Sequence, residues 1–285
     1  MRGLDVSVRT REQLAALEGT RARIARIYAD AQLLLAEEDS KAASGIAQRT
    51  GALLFAAAPC MMREEEGAPD ERDMEALSLL TQVRGILVRN MEQLAFLCGR
   101  GYPGTIVCDS QIYVFNSASF RLLKEQLPYE RKADETTAAH ELSLAQFFAA
   151  CPPPLRESAT VIVYGYTPMM VSAGCVRLTT EGCTGKKHAL YTDTLSMTDR
   201  TGRQMRVTCD CRCCYNVIWN AHRLSLHREV AGLARKGVRL RLDFTTETGE
   251  ECKRVLAFFA AILAGKEADI PYEAYTTGRS GKGVE

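Results

Sequence analysis

Apolar and polar positions change period along this chain in a repeating way. A short run that alternates, or is apolar throughout, gives way to a longer amphipathic run, and the cycle begins again. LDVSV (Leu4–Val8) alternates with period two, as a strand does. Thr10 is placed to cap a helix through Glu18, with Glu12 and Gln13 in its first turn. RIARIYAD (Arg23–Asp30) reads as a second strand and DSKAASGIAQRTG (Asp39–Gly51) as a helix with a glycine stop. GALLFAAAP (Gly51–Pro59) is apolar throughout, the mark of a strand covered on both faces. A polar stretch follows, then a helix over Asp70–Val83, the strand GILVRN (Gly85–Asn90) and the helix NMEQLAFLCGRG with its glycine C-cap. The series continues with GTIVCD (Gly104–Asp109), a helix within SQIYVFNSASFRLLKEQ, a short strand LPYE (Leu127–Glu130) and a helix over Ala138–Ala149. Three prolines break the chain before TVIVYGY (Thr160–Tyr166), the seventh strand. Past a cysteine-rich stretch lie a helix Arg228–Lys236, the strand VRLRLDF (Val238–Phe244) and a last helix Glu250–Leu263.

Strand then helix, eight times over, predicts the α/β class and a (β/α)8 TIM-like barrel with a cysteine-rich β-hairpin insertion before the last strand. Residues 1–166 carry the first seven units, 167–227 the insertion, and 228–285 the closing units of one structural domain. A doubly wound open sheet is the alternative, but no GxGxxG turn follows any strand. In a barrel, chemistry belongs at the C-terminal strand ends. Here those ends carry Asp30, Arg89 with Asn90, Asp109, Glu130, Tyr164 and Asp243, with Arg63 a little further out. The candidate substrate-binding residues are therefore Arg89, Asn90, Asp109, Asn116, Glu130, Tyr164 and Asp243. Any one of them also suits a helix cap or a rim ion pair; the ring as a whole points to a pocket.

A net charge of +1 gives no whole-surface attraction for nucleic acid. No run approaches the ~18 apolar residues that cross a bilayer, and the charged N-terminus lacks a signal-peptide core, so a cytoplasmic protein without a membrane partner is expected. Eleven cysteines are a surplus for a compartment that disfavours disulfides. Cys60, Cys98, Cys108, Cys151 and Cys252 are scattered in mostly apolar surroundings and read as buried thiols.

The other six fall between Tyr164 and Asn220: Cys175, Cys183, Cys209, Cys211, Cys213 and Cys214. Cys211 and Cys214 form a C-x2-C pair, whose sulfurs reach one centre from a tight turn in zinc and iron–sulfur sites alike. Two alternating runs around DRTG read as a hairpin that returns the chain to Cys183. Four thiolates then converge on one ion or cluster, with a structural four-cysteine zinc site as the alternative. Cys209, Cys211 and Cys213 alternate, so a strand through them places all three on one face. Tyr113, Phe115, Tyr164 and Tyr166 can stack on a planar ring, or simply pack the barrel. The histidines are His140, His188, His222 and His227, the last two reading as surface or cap residues; no HExxH or GxSxG motif is present.

YGYTPMMVSAGC, GC eight residues on, the D-R-x-G hairpin, CxxCYNVIWN and the late RLDFTTE resemble the collagenase-like peptidases, the thirty-second family of peptidases without an assigned mechanism. RNMEQLAF, CDSQIYVFNS, LPYE and the closing TTGRSGKGVE agree, although Arg279 stands where the family pattern has histidine. The resemblance implies a barrel bearing a [4Fe–4S] cluster on Cys175, Cys183, Cys211 and Cys214, with Cys209 and Cys213 as extras. It further implies oxygen-independent hydroxylation or redox modification of an RNA base or a small aromatic, quinone-type substrate. Proteolysis is the family's other activity, and a cluster-bearing subunit working with a protein partner or a second family member is a third reading.

Overall fold

The computed structural model describes residues 3–61, 70–180, 182–183, 194–211 and 213–284. Seven parallel strands come first: β1 (Leu4–Val8), β2 (Ile24–Asp30), β3 (Leu53–Ala57), β4 (Gly85–Val88), β5 (Thr105–Cys108), β6 (Glu135–Thr137) and β7 (Ala159–Gly165). Four antiparallel ones follow: β8 (Pro168–Ser172), β9 (Thr194–Thr198), β10 (Gln204–Asp210) and β11 (Tyr215–Trp219). The chain ends with β12 (Arg223–Ser225), β13 (Arg239–Asp243) and β14 (Tyr275–Thr276). The helices between them are α1 (Arg11–Ala15), α2 (Ala31–Leu35), α3 (Glu37–Thr50), α4 (Asp70–Ser78), α5 (Met91–Gly99), α6 (Ser117–Arg121), α7 (Leu144–Ala150), α8 (Val176–Thr180), α9 (Val230–Arg235) and α10 (Gly249–Leu263).

Each of β1 to β7 pairs in parallel with the next, and β13 joins β7 to β1, so eight parallel strands close a barrel as the periodicity predicts. β8, β11, β10 and β9 form a separate four-stranded sheet, while β12 and β14 extend the barrel wall beyond β7. No helix among the described residues is long and apolar enough to cross a membrane.

Two features depart from the sequence reading. LPYE is not a strand: β6 starts at Glu135, and the helix placed over Ala138–Ala149 starts at Leu144 behind a Ser143–Gln146 capping box. The ETT of β6 carries no apolar signal because its barrel-facing residues serve other groups. Glu135 takes two hydrogen bonds from Arg26 (2.6 and 2.7 Å), and Thr137 accepts from Arg241. The second departure is in β7. Arg241 pairs with Ile162, but Leu242 then pairs with Tyr164, so one residue is skipped and the inside–outside alternation inverts there.

The barrel interior is layered. At the bottom Asp5 binds Arg239 through two hydrogen bonds (2.6 and 2.7 Å) beside the Arg26–Glu135 pair. Tyr28, Phe55, Ala57, Leu87 and Val107 form an apolar plug above them. Arg241 crosses the top of that plug, its guanidinium 5.5 Å from the Tyr28 ring. The larger apolar core lies outside, between strands and helices, where α10 presents Val255, Leu256 and Phe259.

Candidate functional site

The upper end of the barrel is built around Arg241, whose side chain is 1% exposed. Its guanidinium donates to Asp109 (2.6 Å), to both carboxylate oxygens of Asp243 (2.6 and 2.9 Å) and to Thr137 (3.5 Å). Arg89 closes on Asp109 from the other side, Nε to Oδ2 at 3.2 Å, and donates to the Ala58 carbonyl at 2.8 Å. Burial pushes the Asp109 carboxyl up, but the charges of Arg241 and Arg89 and the hydrogen bonds it accepts outweigh this and hold it down at about 2. His140 stands within range of Asp243 and Asp109; burial holds its imidazole below the ordinary value and so keeps it neutral. Asn90 caps α5 through the Gln93 amide (2.9 Å) and turns its own amide toward the Cys60 carbonyl (3.4 Å).

Arg89, Asn90, Asp109 and Asp243 are thus brought together, and the other three candidates are not. Tyr164 lies outside the barrel wall, turned there by the β7 bulge, and packs edge-on against Phe244 and Phe259 while its hydroxyl accepts from Arg223 (3.2 Å). Glu130 is exposed in the loop that enters β6 from below, at the opposite end from the mouth. Asn116 is exposed and caps α6 through Ser119 (2.9 Å). Arg63 and His188 lie outside the described residues. Tyr113 and Phe115 are exposed and stack on each other at 5.9 Å, whereas Tyr166 is buried under the small sheet. His222 is exposed as expected, but His227 is buried, its ring hydrogen-bonded to Ser225 (2.9 Å) and edge-on to Tyr275.

The four-stranded sheet lies across this mouth as a lid. Among the described residues, contacts with groups just past the upper ends of barrel strands fasten it. Gln32 donates to Asp210 (2.9 Å), the Cys60 amide to the Tyr215 hydroxyl (3.2 Å), and Arg206 to Thr246 (2.5 Å), while Arg9 sits 5.0 Å from the Trp219 ring. Tyr166, Cys213, Tyr215, Val217 and Trp219 bury their apolar surface against Cys60.

The cysteines are distributed over this lid. β10 ends at Asp210, so Cys211, Cys213 and Cys214 lie in turn structure before β11 rather than in a continuing strand, with Cys214 in the left-handed region (φ 51°). The alternation expected for Cys209, Cys211 and Cys213 therefore does not hold. Cys213 is buried among the aromatics, while Cys211 and Cys214 are half-buried at the turn. Ser172 of β8 pairs with Asn216 of β11, and Asn216 donates to the Gly174 carbonyl (2.8 Å), which ties the Cys175 segment to the same end of the sheet. The Cys175 sulfur accepts the Leu178 amide (3.3 Å) at the start of α8. Cys183, beyond α8, is exposed. Cys209 is buried in β10, where burial pushes its thiol up and a hydrogen bond with the Arg177 side chain works against that. Among the described residues no three metal-ligating side chains meet at single-ion distance. Sulfur donors at one end of a sheet, here Cys175, Cys211 and Cys214, are of the chemistry that suits an iron–sulfur cluster or zinc.

His140 and Arg241 are not singled out by the sequence. Arg241 had a signal: VRLRLDF puts a charge at every second position of a strand that a parallel sheet should bury. His140 had none, because it follows a strand too polar to recognise.

No family model matches the chain, and no curated protein matches it. Among solved structures, the chain is similar to the C-terminal domain of a candidate chitinase from Desulfitobacterium hafniense DCB-2, at 9% identity and a TM-score of 0.42 over 92% of this chain and 100% of that one. It is also similar to a chitinase from Chromobacterium violaceum ATCC 12472, at 10% identity and a TM-score of 0.37 over 90% of this chain and 98% of that one.

Proposed function

We propose that this chain is an enzyme of the collagenase-like peptidase type that carries a [4Fe–4S] cluster and performs redox modification or oxygen-independent hydroxylation on an RNA base or a small aromatic, quinone-type compound. The observation that carries it is the β8–β11 register with the β10–β11 turn, which sets Cys175 and the Cys211-x2-Cys214 pair at one end of a lid that covers a polar barrel mouth. Cys175, Cys183, Cys211 and Cys214 would hold the cluster, which supplies one-electron chemistry when bound. The barrel's own residues do the rest. Arg89 and Asn90 orient a polar planar compound, neutral His140 is placed to accept or return a proton, and the apolar lid cluster around Trp219 excludes water.

The test is the iron, acid-labile sulfide and zinc content of protein purified without oxygen, read with its visible spectrum. About four irons and four sulfides per chain support the proposal. One zinc and no iron overturns it, leaves a structural four-thiolate site, and returns the barrel mouth to assays for hydrolysis.

A further inference from the structure

Tyr215, Val217 and Trp219 turn one face of the lid toward the barrel mouth. Thr208 and Asp210 stand beside them, since Trp219 Nε1 donates to the Thr208 hydroxyl (2.9 Å) and Gln32 to Asp210 (2.9 Å). Successive residues of a strand alternate faces, so Asn216 lies on the other one. Its cross-strand partners there are Cys209 of β10 and Ser172 of β8. Asn216 is 1% exposed, and a buried strand position of this kind suits a branched apolar residue, such as Ile218 two places on. Asparagine weakens the strand, and only half of its amide is used. Nδ2 donates to the Ser172 carbonyl (3.3 Å) and the Gly174 carbonyl (2.8 Å), whereas Oδ1 is buried without a hydrogen-bond donor among the described residues. An acceptor left so costs the fold stability, so the two donated bonds are what asparagine contributes here.

Both bonds end on the segment that carries Cys175. The Gly174 carbonyl shares a rigid, planar peptide unit with the Cys175 nitrogen, so holding one places the other. The Gly174 amide is held as well, by the Ser172 hydroxyl (3.1 Å). Beyond Cys175 the grip comes from the same row of the sheet. The Arg177 side chain of α8 is buried and hydrogen-bonded to Cys209, and the Cys175 sulfur accepts the Leu178 amide (3.3 Å). Cys175 is thereby fixed from both sides by groups outside the four-thiolate set.

We propose that Asn216 is a positioning residue of the lid's metal centre: by holding the Gly174 carbonyl, its amide sets where the Cys175 sulfur stands relative to the Cys211-x2-Cys214 pair. The inference rests on the four-cysteine reading above. It also gives Cys209 a place outside the ligand set, as the anchor of Arg177. Groups that orient metal ligands without touching the metal alter metal binding by about ten- to a hundredfold when they are removed.

The experiment follows the loss of metal to a chelator from the full chain purified without oxygen, with iron and zinc measured separately. Asn216→Leu keeps the branching and suits the buried strand but removes the clamp. Ile218→Ala, on the same face, removes packing and leaves the clamp in place. Asn216→Gln restores an N–H donor on a longer arm. Asn216→Leu is expected to release its metal, iron or zinc alike, about tenfold or more faster than the unaltered chain, with Ile218→Ala and Asn216→Gln within about threefold of it. Release from Asn216→Leu no faster than from the unaltered chain, from Ile218→Ala or from Asn216→Gln overturns the proposal. A chain that holds neither metal sinks the four-cysteine reading, and iodoacetamide labelling mapped by peptide mass spectrometry then reads the clamp apart from it. Cys175 labelled at least about fivefold faster in Asn216→Leu supports the clamp; an unchanged rate overturns it.

Discussion

Arg241 is the residue on which the barrel mouth depends, and replacing it with methionine tests that most sharply. Methionine keeps the apolar stem but removes the guanidinium, leaving Asp243 without its two hydrogen bonds and Asp109 with Arg89 and the Ser110 amide. The Asp109 carboxyl, held at about 2 against an ordinary 3.8, gains about 2 kcal/mol of stability at neutral pH from its partners. Adding the penalty for a half-buried Asp243 left without its cation brings the loss to about 3–4 kcal/mol. The sign with pH follows. A depressed folded value means the wild-type contribution is intact above about pH 4 and is lost only as pH falls toward 2. In Arg241→Met the Asp109 carboxyl keeps its burial, the largest influence on it, with Arg89 as its one remaining cation, so it binds a proton more readily than in the unaltered protein. The variant should therefore regain part of its deficit as pH falls from 7 to 5. Urea unfolding followed by circular dichroism at the two pH values measures both effects. A deficit under about 1 kcal/mol at pH 7, or one that does not shrink at pH 5, would refute the assignment of Arg241 as the charge that holds the mouth together.

Two further outcomes follow from the wall of the barrel. Gly165 has φ 143°, and an added methyl would overlap the Asp243 carbonyl, so Gly165→Ala should cost about 3 kcal/mol or more in unfolding free energy; a change under about 1 kcal/mol would contradict the close β7–β13 approach. His227 holds β12 to the C-terminal strand through Ser225 and Tyr275, and burial lowers its imidazole below the ordinary 6.5. A folded value below the unfolded one means this contact is complete above pH 6.5 and weakens as pH falls below it. Hydrogen exchange over residues 271–284 should therefore quicken between pH 7 and 5.5 after correction for intrinsic rate, and His227→Phe should remove that dependence.

The barrel was legible where strand interiors are apolar. GALLFAAAP and TVIVYGY sit where their periodicity put them because both faces of those strands meet hydrophobic layers. β6 was not legible, since three residues whose inward members bind arginines look like a loop; the apolar Leu127 and Tyr129 nearby were taken for the strand instead. Arg89, Asn90, Asp109 and Asp243 stand together at the barrel mouth, as their places at strand ends suggest. Tyr164 does not join them, because a single skipped residue in β7 reverses the face, and nothing in VIVYGY announces the skip. The lid was visible as a hairpin, but its placement over the mouth was not. That placement rests on long-range contacts such as Gln32 with Asp210 and Cys60 with Tyr215, which no local pattern encodes.

The most direct test of the central claim is the iron content of single serine variants at seven cysteines, each purified without oxygen and compared with the unaltered chain. Cys175→Ser, Cys183→Ser, Cys211→Ser and Cys214→Ser are expected to lose most of their iron and visible absorbance. Cys60→Ser, Cys209→Ser and Cys213→Ser, which alter one thiol under the lid and two within its packing, should keep it. Iron retained in the first four, or lost equally in all seven, would contradict the assignment of those four thiolates as the metal-bearing centre of this protein.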